Sequence, residues 1–202
     1  MRDLSATSSA TDVLAQAVER HHPSLVLLCS FQKEESVLVD ELVRLAPDAR
    51  IVTIDTGVLF PETLATWRAF EERFGVRVEV EDATGPWTGP QSCCGAAKVD
   101  ALERALAGAD AWITGIRREQ SPTRADAPKV EWMERRGIWK FNPLAAWTEQ
   151  DLWRRIHERD LPYHPLHDQG YASIGCAPCT NPGSGREGRW AGLTKTECGL
   201  HV

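Results

Sequence analysis

The sequence predicts an α/β fold in which a mostly parallel, twisted sheet is flanked by helices. Short apolar runs with strand character alternate with amphipathic helical patterns along the first half of the chain, and this order is typical of parallel strands joined by crossover helices. The 202 residues, 42% of them hydrophobic, are enough to bury one core without disulfides. We therefore expect one ordinary globular domain.

The elements of the first half follow one another as strand and helix after an amphipathic helix near residues 11–21. Pro61 suits the first turn of a helix, and Gly75 and Gly108 stand where helix C-terminal caps belong. Period-2 and period-3.6 patterns predict the remaining boundaries. The predicted strands are 25–29, 50–54, 76–80 and 111–116, and the predicted helices are 36–45, 61–74 and about 94–107.

The pattern weakens beyond residue 121. Residues 138–141 resemble a strand, and Thr148 can cap a helix that runs to about residue 159, because acidic residues follow in its first turn. The last segment is rich in glycine and proline, which favours a loop. We expect a single domain over residues 1–182 and a flexible C-terminal tail over residues 183–202.

Charge and hydropathy narrow the classes of partner. The formal net charge of −6 disfavours nucleic acid, because a polyanion needs a basic surface. The longest apolar run, residues 25–31, is far shorter than the roughly 20 residues of a membrane span, and residues 1–18 lack the pattern of a signal peptide. We therefore expect a cytoplasmic protein that contacts neither nucleic acid nor a membrane.

Four of the six cysteines form two tight pairs, Cys93–Cys94 and Cys176–Cys179. Adjacent Cα atoms lie about 3.8 Å apart, closer than the roughly 4.4–6.8 Å across a disulfide. Neighbouring thiolates point in different directions, so they suit two irons of one cluster better than a single tetrahedral zinc. The pairs therefore favour a [4Fe–4S] cluster.

Two other interpretations of these cysteines stay open at the level of the sequence. They could be scattered core cysteines, because free cysteine is often buried. Alternatively, His164 and His167 could bind zinc together with Cys176 and Cys179, as in a zinc-stabilised interaction module. This set leaves Cys93, Cys94 and the C-terminal cysteine without a role.

Two strand ends offer an anion site. The first strand runs into the segment from Ser30 to Ser36 and then a helix, which presents backbone N–H groups and a positive helix end to a phosphate. The second strand ends at Asp55, at the same edge of the sheet. The loop lacks glycine, so an ordinary strand-to-helix turn remains an equal alternative.

Arginines collect in two further segments, 115–124 and 185–190. The guanidinium fork binds phosphate and sulfate oxygens with two parallel hydrogen bonds. For any one arginine taken alone, a solvated surface residue is the favoured interpretation. Two groups beside cysteine motifs favour an anion site.

In combination, these motifs resemble the thioredoxin-dependent adenylyl-sulfate reductases of assimilatory sulfate reduction, a family with the adenine-nucleotide α-hydrolase-like fold. The resemblance covers residues 24–202. It rests on Ser-Phe-Gln-Lys-Glu-Glu-Ser at 30–36, Asp-Thr-Gly at 55–57, Cys93-Cys94, Gly-Ile-Arg-Arg-Glu-Gln-Ser-Pro at 115–122, Tyr-His-Pro-Leu-His-Asp at 163–168, Gly-Cys-Ala-Pro-Cys at 175–179 and Glu-Cys-Gly-Leu-His at 197–201.

The resemblance implies a reaction and roles for residues. The chain would reduce adenylyl sulfate to sulfite and AMP, with Cys198 as the nucleophile and reduced thioredoxin as the partner. The cluster ligands would be Cys93, Cys94, Cys176 and Cys179, and the substrate-binding residues would be Ser30, Ser36, Asp55, Lys98, Arg124, Arg186 and Arg189. Ala97 stands where the family commonly has arginine, so a charge near the cluster is absent.

Two enzymes of the same fold are the alternatives. Reductases of the 3′-phosphorylated nucleotide usually lack the two cysteine pairs, and ATP-dependent ligases or thiolases would carry a Ser-Gly-Gly-x-Asp-Ser loop, which is absent here. The sequence therefore favours the unphosphorylated substrate.

Overall fold

A computed structural model describes residues 8–85, 88–89, 95–190, 197 and 200. Within these residues it contains five α-helices and six strands. The helices are α1 (Ala10–His21), α2 (Lys33–Leu45), α3 (Pro61–Phe74), α4 (Ala96–Ala105) and α5 (Glu149–Glu158). The strands are β1 (Leu25–Leu28), β2 (Arg50–Asp55), β3 (Val78–Asp82), β4 (Ala111–Ile113), β5 (Val130–Met133) and β6 (Ile138–Phe141).

The strands form one sheet in the order β3-β2-β1-β4-β6-β5. All neighbouring strands run parallel except β5, which is antiparallel to β6. The predicted α/β architecture with a mostly parallel sheet is therefore confirmed. Strands β1, β2 and β3 follow one another toward one edge of the sheet, and β4 then pairs with the other side of β1. In open α/β sheets, ligands bind where the strand order reverses in this way.

Both faces of the sheet are covered by packed apolar side chains. In β1, Leu25 and Leu27 join one hydrophobic cluster, whereas Val26 joins the other. This alternation follows from the period of two along a strand. The first cluster contains residues of α1, α2, α3 and α5, and the second contains residues of α4 together with Trp190 and Leu200.

Local capping sets several helix ends where the sequence predicts them. Ser9 and Asp12 form a capping box at α1, and Thr148 and Asp151 form another at α5. Pro61 occupies the first turn of α3, which ends at Gly75 with a φ of 66°, a left-handed conformation that glycine adopts without a steric penalty.

Several elements differ from the predictions. Helix α2 begins at Lys33 instead of residue 36, because the Glu35 carboxylate accepts from the Gln32 backbone N–H and closes a capping box. Strand β3 lies two residues later than predicted and β4 ends at Ile113. The edge strand β5 was not predicted, because its half-exposed, acidic sequence lacks a clear apolar alternation.

The C-terminal region forms short turns that are tied to one another. Two 3₁₀ helices cover Pro165–Gln169 and Ala177–Cys179. Thr180 bridges Arg189, and the Asn181 backbone N–H donates to the Gly188 carbonyl oxygen at 2.8 Å. Residues 183–190 are therefore held against 170–181. The boundary at residue 182 and the flexibility of the tail stay predictions.

No helix among the described residues is long and apolar enough to cross a membrane.

Candidate active site

A cavity opens at the carboxyl ends of β1, β2 and β4, above the N-terminus of α2. Its empty volume is about 1290 Å³ when the part open to solvent is included. The wall includes Ser30, Gly115 and Cys176, together with Leu200 from the C-terminal segment. The cavity lies where the topology predicts a ligand.

The turn between β1 and α2 is fixed from inside the protein. Phe31 has a φ of 58° and is fully buried, where its ring packs against Trp67 and Phe70 with centroid separations of 5.5 and 5.6 Å. A bulky residue adopts this left-handed conformation only when its surroundings require it. The bend turns Ser30 and Gln32 toward the cavity, which both residues line.

Two adjacent glutamates of α2 carry different charges at neutral pH. Burial opposes the ionisation of Glu34, but the charges of Arg117 and Lys33 outweigh it and lower its pKa. Burial, and then the charge of Glu34, raise the pKa of Glu35 to about 8. Glu35 is therefore mostly protonated near pH 7, and the cavity wall is less negative than the sequence indicates.

Arg117 in the cavity wall and Lys33 beside it both form ion pairs with carboxylates of the protein. Arg117 is 2% exposed and donates to Glu34 at 3.0 Å and to Glu119 at 3.0 Å. Lys33 is equally buried and donates to Glu149 at 2.7 Å. Arg117 has no individual role among the predicted site residues; its place in an arginine-rich segment after β4 is the only signal for it in the sequence.

Four of the predicted substrate-binding residues are basic side chains in the cavity wall, namely Lys98, Arg124, Arg186 and Arg189. Arg189 is 8% exposed, and its guanidinium donates to the Ile174 carbonyl oxygen at 3.0 Å. Its Nε is buried without a partner among the described residues. A buried cationic group with a donor left over is suited to an anionic ligand.

The Trp190 indole supports two of these arginines. The Arg189 and Arg186 guanidinium carbons lie 4.6 and 5.3 Å from its ring centroid, within the range of cation–π attraction. Trp190 is 2% exposed and has a φ of 52°. The 185–190 segment is thus held rigidly enough to orient both arginines.

Two predicted substrate-binding residues take other positions. Ser36 is fully buried in the first turns of α2, and its Oγ has no partner among the described residues. The Asp55 carboxylate accepts from the Gly57 backbone N–H at 2.8 Å, which closes a turn after β2. Neither residue is in the described wall of the cavity, so this geometry does not support a direct contact with a ligand there.

The second cysteine pair lies beside the cavity. Cys176 and Cys179 are 1% and 3% exposed and lie on one 3₁₀ turn. The Cys176 Sγ lies 3.2 Å from the Thr56 Oγ1, at the end of β2. Cys93, Cys94 and Cys198 lie outside the described residues, so their predicted roles stay predictions.

The alternative zinc site is not assembled. His164 bonds Thr63 through Nε2 at 2.9 Å, and its Nδ1 accepts from the Leu166 N–H. His167 likewise uses both ring nitrogens, toward the Lys33 N–H and the Tyr171 carbonyl oxygen. The described residues contain no group of three or more potential ligands that could hold a metal. These histidines tie the 163–172 segment to α2 and α3.

Comparison with known proteins identifies the family. Residues 24–182 match the family model described as the phosphoadenosine phosphosulfate reductase domain. The chain belongs to this family. The match covers β1 through the Cys176–Cys179 pair and therefore includes most of the cavity wall.

Similar curated proteins have two different names. Adenosine 5′-phosphosulfate reductases of Bacillus pumilus and Geobacillus kaustophilus are 45% and 42% identical and align with 95% and 97% of this chain and 90% and 91% of their own lengths. A phosphoadenosine 5′-phosphosulfate reductase of Gloeobacter violaceus is also 45% identical, with 94% of this chain and 87% of that protein aligned.

Solved structures support the fold. A phosphoadenylyl-sulfate reductase from Candida auris superimposes with a TM-score of 0.72 and 26% identity, over 85% of this chain and 89% of that one. An FMN adenylyltransferase from Candida glabrata gives a TM-score of 0.67 at 14% identity, over 87% of this chain and 64% of that one. The second likeness concerns the fold alone.

Proposed function

We propose that this protein reduces adenylyl sulfate to sulfite and AMP in assimilatory sulfate reduction. Its similarity to adenosine 5′-phosphosulfate reductases over nearly the whole chain supports the reaction class. The observation that carries the proposal is the cavity at the strand ends, whose wall contains the buried Arg189 guanidinium and the buried Cys176. A nucleotide bearing two linked anionic groups matches this combination of basic residues and helix N-terminus.

The basic side chains would hold the anionic half of the substrate. Lys98 from α4 and the two arginines of the 185–190 segment, Arg186 and Arg189, line the cavity, and together they can offset the charge that otherwise repels a thiolate from a phosphosulfate. Ser30, which lines the cavity next to the N-terminus of α2, would contact the nucleotide phosphate. Lys33 and Arg117 would take no direct part, because carboxylates of the protein occupy them.

Cys198 would act as the nucleophile. Its thiolate attacks the sulfur of adenylyl sulfate, the bond from sulfur to the bridging oxygen breaks, and AMP leaves with that electron pair. The product is an S-sulfonated cysteine. A thiolate of reduced thioredoxin then attacks the Cys198 sulfur and releases sulfite, and its second thiol resolves the mixed disulfide. Cys29 is a poor substitute, because burial raises the pKa of its thiol well above the ordinary value.

Cys176 and Cys179 are suited to hold part of an iron–sulfur cluster. Cys176 and Cys179 are buried and three residues apart on a single turn, a spacing that cluster ligands commonly have. We propose that they hold a [4Fe–4S] cluster together with Cys93 and Cys94. When bound, the cluster would supply electrostatic stabilisation near the substrate and would brace the turn, without delivering electrons.

The reductase of the 3′-phosphorylated nucleotide remains the second candidate, because the Gloeobacter violaceus relative carries that name. Sulfite release from the two nucleotides, measured with the same reduced thioredoxin, separates the candidates. We expect a higher kcat/KM with adenylyl sulfate. A higher value with the 3′-phosphorylated form would assign the protein to the second candidate.

Mass spectrometry tests the covalent step. After incubation with adenylyl sulfate and no reductant, one sulfonate should appear on Cys198. The Cys198→Ser variant should bind adenylyl sulfate and retain iron and acid-labile sulfide, yet form no adduct and release no sulfite. An adduct on Cys29 would contradict the mechanism, and stoichiometric zinc in a colourless protein would contradict the cluster.

A further inference from the structure

The Glu197 carboxylate accepts hydrogen bonds from four side chains, two of which line the cavity. Its Oε1 accepts from Arg124 Nε at 2.9 Å, Thr123 Oγ1 at 2.9 Å and Ser121 Oγ at 3.4 Å. Its Oε2 accepts from Arg124 Nη2 at 2.7 Å and Arg186 Nη2 at 3.2 Å. One side chain of the C-terminal segment thus connects the 121–124 turn with the 185–190 segment.

The donors of Arg124 are distributed among protein acceptors. Two parallel hydrogen bonds, from Nε and Nη2, go to Glu197, and Nη1 donates to the Gln120 side-chain oxygen at 2.5 Å. This fork-to-fork geometry is the one by which arginine recognises a carboxylate. A phosphosulfate could engage Arg124 in the same way only after displacing Glu197. The arrangement therefore differs from that of Arg189, whose Nε is left over.

Sequence proximity connects this contact with the chemistry. Cys198 follows Glu197 directly, and a trans peptide holds consecutive Cα atoms about 3.8 Å apart. Leu200, on the other side of Cys198, is 7% exposed and lines the same cavity. The two described neighbours of the Cys198–Gly199 pair therefore both contact the cavity wall.

We propose that Glu197 is a positioning residue whose carboxylate docks the segment carrying Cys198 onto Arg124, Thr123 and Arg186, and that Arg124 serves this docking instead of binding the substrate. The inference rests on the proposed function, because it takes Cys198 as the nucleophile. It reassigns Arg124, which the family resemblance places among the substrate-binding residues.

The ionisation of Glu197 agrees with a permanent contact. Burial opposes the charged form, but the hydrogen bonds from Arg124 and the charges of Arg186 and Arg124 lower its pKa to about 2. The folded pKa lies below the ordinary value of 4.5, so the contact is at full strength above that value and is lost only as the pH falls toward 2. Docking should therefore not vary over neutral pH.

Hydrogen exchange followed by mass spectrometry measures docking without catalysis. In Glu197→Gln the side chain loses its charge, and its amide NH₂ group cannot accept a hydrogen bond from the arginines. The backbone amide hydrogens of the C-terminal peptide should therefore exchange at least about tenfold faster. Arg124→Gln should do the same. If docking joins the two residues, the double variant should exchange no faster than either single variant. Glu187→Gln and Arg135→Gln remove exposed charges and serve as matched controls.

Binding and chemistry are measured separately in the same variants. The single-turnover rate of Cys198 sulfonation at saturating adenylyl sulfate should fall at least about tenfold in Glu197→Gln and in Arg124→Gln. In a Cys198→Ser background the Kd for adenylyl sulfate should stay within about twofold of the parent value, because neither residue contacts the substrate.

The outcomes distinguish this proposal from the proposed function. Unchanged exchange in Glu197→Gln, or a large loss of adenylyl-sulfate affinity in Arg124→Gln with unchanged exchange, would overturn the docking role and return Arg124 to the substrate site. If the unmodified protein forms no sulfonate on Cys198, the proposed function fails instead, whereas the exchange measurements still report whether Glu197 and Arg124 hold the segment.

Discussion

Two groups of basic side chains lie in or beside the wall of one cavity, and they differ in which part of the chain supplies the carboxylates that pair with them. Lys33 and Arg117 are 2% exposed and pair with carboxylates of α2, α5 and the turn after β4. Arg124 and Arg186 are more exposed and pair with Glu197 of the C-terminal segment. The first group belongs to the packed interior, whereas the second meets a segment that reaches the site from the end of the chain. Identical residue types therefore have a structural role in one place and a role in assembling the site in the other.

The largest expected loss of unfolding free energy follows a substitution in the first group, at Arg117. Arg117→Ala leaves Glu34 buried without its ion-pair partner, which costs about 3–5 kcal/mol of unfolding free energy. In Arg124→Ala, the Glu197 carboxylate can still contact Arg186 and solvent. The loss of unfolding free energy should therefore be about 1 kcal/mol or less. Urea unfolding of both variants tests the difference. Equal losses would show that the two groups do not differ as described.

A substitution at Gly175 tests whether ligand binding depends on the position of the Arg189 guanidinium. A Cβ at this position would lie 2.2 Å from Arg189 Nη2 and 2.4 Å from its Cζ, and the guanidinium is too buried to move freely. We expect Gly175→Ala to lose about 1–3 kcal/mol of unfolding free energy and to weaken binding of adenylyl sulfate. Gly85→Ala is the matched control, because nothing lies within 4 Å of its added Cβ. Normal affinity in Gly175→Ala would argue against Arg189 as an anion ligand.

Lys98 should contribute to turnover more than to stability. It lies in the first turn of α4 and lines the cavity, where its charge can stabilise the anionic transition state. We expect Lys98→Ala to lower kcat/KM about tenfold, equivalent to about 1.4 kcal/mol of activation free energy, with a nearly unchanged urea midpoint. Unchanged kinetics with unchanged iron content would indicate a solvated lysine.

The remaining prediction concerns the pH dependence of stability at Glu35. Its pKa is about 8 in the folded protein and ordinarily 4.5, so the folded state holds a proton that the unfolded state releases between these values. Stability from this group is therefore present below pH 4.5 and is lost as the pH rises toward 8, by at most about 1.4 kcal/mol per pH unit. Glu35→Gln should flatten the fall in unfolding free energy between pH 5 and pH 8. An identical pH profile in both proteins would contradict the raised pKa.

Local signals in the sequence determined most of the element boundaries. The capping residues Thr148 and Asp151, the first-turn Pro61 and the C-terminal Gly75 act within a few residues of their own helix ends, so a linear pattern contains the whole cause. The apolar strands β1 and β2 were predicted on the same basis. The early start of α2 also has a local cause, because the Glu35 side chain accepts a hydrogen bond from the Gln32 backbone N–H three residues away.

The sequence alone determined which residues make up the site. Its motifs identified the family, the segments at the cavity and the basic residues among its lining. Only the tertiary structure decided what each charge does. Arg117 and Arg124 stand seven positions apart in one arginine-rich segment, yet one pairs with buried Glu34 and the other with Glu197. The physical reason is that the effect of a charge depends on its distance from other charges and from water, and folding sets these distances between residues far apart in the chain.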